Sequence, residues 1–128
     1  MIALGIWNFL HFIGLALGLG GATILNIISL KSRNDNDIAK ALSKIIPSIV
    51  SLIWVGIFLL IVSGIALPFY ITWPLNKQIL IIKHILVVWI IVIGIILGVS
   101  SKKRINLQWL GAVNLILWYI VTLLSVFV

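Results

Sequence analysis

Glutamate and cysteine are absent from this sequence, and its only two acidic residues, Asp35 and Asp37, share one short polar turn. Each absence excludes chemistry. Without cysteine there is no disulfide, no iron–sulfur cluster and no thiolate ligand, and cysteine usage gives no reading of the redox compartment. No carboxylate lies in an apolar segment, so the chain lacks the group on which proton-coupled antiporters, rotary-ring subunits and carboxylate di-iron sites depend. Charge as a whole is scarce: 9% of the 128 residues are charged, where a soluble domain keeps about 25%.

What is there is hydrocarbon. Hydrophobic residues make up 63% of the chain and the mean hydropathy is +1.35. The apolar residues run in four blocks, 2–30, 47–71, 78–100 and 105–128. Each is long enough to supply the roughly 20 residues that cross a hydrocarbon core of about 30 Å. The connectors are too short to fold alone, which predicts one all-α domain: an integral membrane four-helix bundle running up-down-up-down. No Lys or Arg precedes the first block, and that block far exceeds the apolar core of a signal peptide, so it is expected to stay as a helix of the mature protein.

The net charge of +7 is explained by its position. Lys31, Arg33, Lys40 and Lys44 flank the first connector, and Lys102, Lys103 and Arg104 fill the third. The second connector carries only Lys77, with Lys83 just inside the third span. Cytoplasmic connectors collect Lys and Arg, so connectors one and three are expected in the cytoplasm and both termini outside. The expectation is a multi-pass protein of a prokaryotic cytoplasmic membrane. Its basic rim would face anionic membrane lipid rather than nucleic acid.

Local signals add detail. Asp35, Asn36 or Asp37 is suited to cap the helix that follows, and residues 38–46 read as an amphipathic lead-in, with a kink expected at Pro47. The lead-in and second span together cover 38–71, stopping near Pro68, before an interface turn of Tyr70, Trp73 and Pro74. Trp109 is placed to anchor the inner end of the last span. A faint repeat accompanies this: His11 precedes Lys31, and His84 precedes Lys102, by similar intervals.

Ionisable residues inside spans point to function, because burying one without partner or role costs several kcal/mol. Here these are His11, Lys83 and His84. At about 1.5 Å per residue, His11 falls roughly 14 Å and His84 roughly 9 Å below the outer ends of their spans. Two helices running the same way then carry two imidazoles at matched depth, which is what axial ligation of one haem iron requires. Gly14, Gly18 and Gly21 share a face with His11, and Gly94 and Gly98 lie on the side of His84, leaving room for a flat macrocycle. Trp54, Phe58 and Trp89 are candidate walls. Simpler uses compete with each of these. Gly14 and Gly18 form GxxxG, whose commoner use is close helix packing. A membrane histidine often bonds only a serine or a carbonyl. Lys83 fits a lysine snorkelling to the headgroups, its other role being to pair with a haem propionate. Asn8, Asn26, Asn114, Ser51 and Ser63 fit interhelical hydrogen bonding.

The run Leu10-His11-Phe12-Ile13-Gly14, followed by Leu19-Gly20-Gly21, resembles the first helix of the copper-resistance D-like membrane proteins and of the related bacterial membrane protoporphyrinogen oxidases. Ser63-Gly64 is similar to their Ser/Thr-Gly step, and Trp73 followed by Ile82-Lys83 resembles their third-helix entry. The resemblance implies a haem b protein, with His11 as the family's first-helix histidine and Lys83 as its third-helix lysine. The oxidases carry Pro-Arg after the first helix where this chain has Asn26-Ile27-Ile28, and their intramembrane arginine has no counterpart. Haem binding and electron transfer carry over better than the oxidase reaction. The leading expectation is therefore a haem b electron-transfer protein, its iron between His11 and His84, serving a quinone or a larger membrane redox complex. A cofactor-free accessory subunit of a respiratory or oxidase complex, a small dimeric transporter and a porphyrinogen oxidase stand as alternatives, with oligomeric state open.

Overall fold

The computed structural model describes residues 2–71, 74–102 and 108–127. It is all-α, with five helices and no strand among the described residues: α1 (Ile2–Ser32), α2 (Asn36–Leu42), α3 (Ile46–Tyr70), α4 (Lys77–Lys102) and α5 (Gln108–Phe127). Four of these, all but α2, are long and apolar enough to cross a membrane, and most of their apolar surface faces outward. Such surface suits lipid, which is as apolar as leucine. This is the form of a multi-pass membrane protein. Trp73 of the expected interface turn, Lys103 and Arg104 of the third connector, and the expected start of the last span at Ile105 lie outside the described residues.

The chain gathers into two compact units, 1–74 and 75–128. In the first, α1 and α3 pack along Gly14, Gly18 and Ala22 on one side and Gly56, Ile57, Ser63 and Leu67 on the other. The approach is backbone to backbone. A β-carbon built on Gly56 would stand 2.7 Å from both the Gly14 carbonyl oxygen and the Gly18 nitrogen, and one on Gly14 would stand 2.8 Å from the Gly56 oxygen. Only glycine permits this, and without a solvent-driven hydrophobic effect such close packing is what holds membrane helices together.

The lead-in differs from its expected form. Instead of one helix kinked at Pro47, the segment makes the separate seven-residue α2, a turn, and then α3. Asp35 supplies the cap, accepting from the amides of Asp37 at 3.0 Å and Ile38 at 3.1 Å. The Ile45 amide closes the turn on Leu42 O at 2.9 Å. Pro47, the second residue of α3, has no N–H to continue the ladder from α2, which suits it to a first helical turn, so the chain restarts there. At the far end Pro68 does not stop α3, which runs on to Tyr70 and closes through the Ile71 amide on Leu67 O at 3.1 Å. So near a terminus the missing donor forfeits one bond and no more.

In the second unit α4 and α5 pack through Ile90, Ile93, Trp118 and Val121.

Candidate functional site

The two histidines fall in different units, His11 nine residues into α1 and His84 seven residues into α4. His11 is half-buried on the face of α1 that meets α3, and its Nδ1 lies 2.8 Å from Ser63 Oγ. Ser63 is 0% exposed, and its hydroxyl lies 2.6 Å from the Leu59 carbonyl oxygen of its own helix. The pairing follows from the helix register. Gly18 stands seven residues after His11 and Gly56 seven before Ser63, so the antiparallel glycine contact brings imidazole and hydroxyl level.

His84 is exposed on α4, about 180° around the helix from buried Ile93, and so on the side that α5 leaves uncovered. Its Nδ1 donates to Leu80 O at 2.7 Å. A carbonyl only accepts, so Nδ1 carries the proton and, in the neutral ring, Nε2 carries the lone pair. Lys83 is half-buried and shares the face of α4 that carries Ile90, turned toward α5.

The rest of the expected site is arranged otherwise. The glycine strip beside His11 is filled by α3, so Gly14 and Gly18 leave no slot there for a macrocycle. Trp54 and Phe58 sit about 180° and 140° around α3 from Ser63, both exposed, and neither forms a wall beside His11. Trp89 lies about 140° from His84 on α4 and is also exposed. Ser63 does bond across helices, whereas Ser51 bonds Pro47 O and Asn26 bonds Ala22 O within their own. Asn114 Oδ1 and Trp118 Nε1, one turn apart on α5, are buried and without hydrogen-bond partners. Among the described residues no three His, Cys, Asp or Glu side chains gather as a metal site.

The described molecule is thus an all-α protein of the multi-pass membrane kind, with His11 and His84 each held by a hydrogen bond at Nδ1. No family model matches the sequence, and no curated protein and no solved structure matches it either.

Proposed function

We propose that this chain is a small haem b protein of the membrane that passes single electrons, with His11 and His84 as the iron ligands. The supporting observation is the orientation of the rings. Each has Nδ1 engaged by the protein, by Ser63 in one case and the Leu80 carbonyl in the other. Ligating histidines are commonly held this way, with one nitrogen anchored to a second group so that the other coordinates. When bound, haem supplies a one-electron iron couple, and the protein tunes it through ligand identity and exclusion of water. The electron partner in this reading is a quinone or a larger membrane redox complex. The proposed setting is a prokaryotic cytoplasmic membrane, with both termini outside and connectors one and three in the cytoplasm, on the strength of their basic residues.

A cofactor-free accessory subunit is the second reading, and one observation favours it: the glycines nearest His11 are fully used in packing α1 on α3. A reduced-minus-oxidised absorption spectrum of protein purified in mild detergent separates the two. The haem reading expects sharp α and Soret bands that vanish in both His11→Ala and His84→Ala. A flat spectrum from a haem-supplemented preparation overturns it.

A further inference from the structure

We propose that Ser63 is the positioning residue of His11, fixing the imidazole as the Nδ1–H tautomer with its lone pair on Nε2. Two short contacts meet at Ser63 Oγ, one of 2.6 Å to Leu59 O and one of 2.8 Å to His11 Nδ1. Each needs a hydrogen between its heavy atoms, and a serine hydroxyl has one to give. A carbonyl oxygen has none, so the contact to Leu59 can be filled only by the serine proton. The weaker 3.3 Å approach to Leu60 O leans the same proton toward that turn of the backbone. The contact to His11 must then be filled from the ring, with Nδ1–H donating and Oγ accepting.

The reverse arrangement, with the hydroxyl donating to Nδ1, would leave two oxygen lone pairs facing at 2.6 Å inside a fully buried site. Two electron-rich oxygens held that close with no proton between them repel, and no water reaches a side chain that is 0% exposed to relieve it. The Leu59 carbonyl therefore sets the hydroxyl, the hydroxyl sets Nδ1, and Nδ1 sets which ring nitrogen is basic. The same hydrogen bond fixes the ring's rotation about its side-chain bonds. This makes Ser63 the support that a coordinating His11 would need, and that further role rests on the haem reading above.

Nitrogen NMR of the full-length chain, labelled with 15N-histidine and carrying His84→Gln so that one ring is observed, reads the tautomer directly without any cofactor. The expected result is a single neutral ring protonated at Nδ1. Ser63→Ala should turn this into a mixture or into the Nε2–H form, and Ser63→Thr, which keeps the hydroxyl, should restore it. An Nε2–H ring in the parent chain overturns the proposal, as does a ring indifferent to Ser63→Ala. Haem titration of the chain with both histidines is the second arm, in which Ser63→Ala should weaken affinity about 10- to 100-fold, as loss of such supports does elsewhere. An Nδ1–H ring controlled by Ser63 in a chain that takes up no haem would retire the haem reading and leave this one standing.

Discussion

Gly56 of α3 lies so close to Gly18 of α1 that a β-carbon on the former would stand 2.7 Å from the latter's backbone nitrogen. The neighbours on that side are backbone atoms, which cannot swing aside. Gly56→Leu should therefore separate the pair and cost about 1–3 kcal/mol or more, the usual penalty of overpacking. Unfolding in mixed micelles measures it. Gly64→Ala, eight residues on in the same helix, is the control. Nothing lies within 4 Å of its added carbon, so it should be neutral or stabilising by up to about 1 kcal/mol.

Trp118 makes the opposite kind of prediction. It is 2% exposed and its Nε1–H has no partner, so the indole proton contributes nothing that phenylalanine would lose. Trp118→Phe should cost only about 1 kcal/mol, for the void left by the smaller ring, while Trp118→Ala should cost about 3–5 kcal/mol through lost packing. A loss above about 2 kcal/mol for the phenylalanine variant would show that the N–H is bonded.

Asp35 offers a local test. Its carboxylate holds two of the free amides at the start of α2, and Asp35→Ala should cost about 1 kcal/mol there. Hydrogen exchange should quicken at Asp37 and Ile38 and leave the amides of α3 unchanged.

The absence of cysteine makes the proposed orientation straightforward to probe. Ser43→Cys, before α3, and Asn76→Cys, before α4, both lie at exposed positions. With an impermeant maleimide on intact cells, the residue at 76 should label at once and that at 43 only after permeabilisation. The reverse pattern would invert the assignment of the connectors.

The four spans were legible in the sequence because length and unbroken hydropathy are properties of a segment alone. The Asp35 cap was legible as one of three candidates for the same reason, since capping needs only neighbours in the chain. The break between α2 and α3 was not, because residues 38–46 keep a helical pattern straight through the turn, and Pro47 fits a kink as well as a restart. The partner of His11 was hidden more deeply: Ser63 is 52 residues away, and only the register between helices brings them together. The usable signal was glycine. Matching Gly14 and Gly18 to Gly56, rather than to Gly64, is the register that points to Ser63. Residue type alone misplaced Trp54 and Phe58, whose angles about α3 turn them away from the histidine.

One consequence of the α1–α3 contact concerns sliding. The closest approaches in that contact fall at glycines, so displacement along the helices would set side chains where only a hydrogen fits. A shift by one turn, about 6 Å, would carry His11 opposite Leu59 or Leu67, where only hydrocarbon waits for the ring. The imidazole and hydroxyl therefore act as a detent in step with the glycines, so that a polar pair and a steric fit both tell the two helices where to stop.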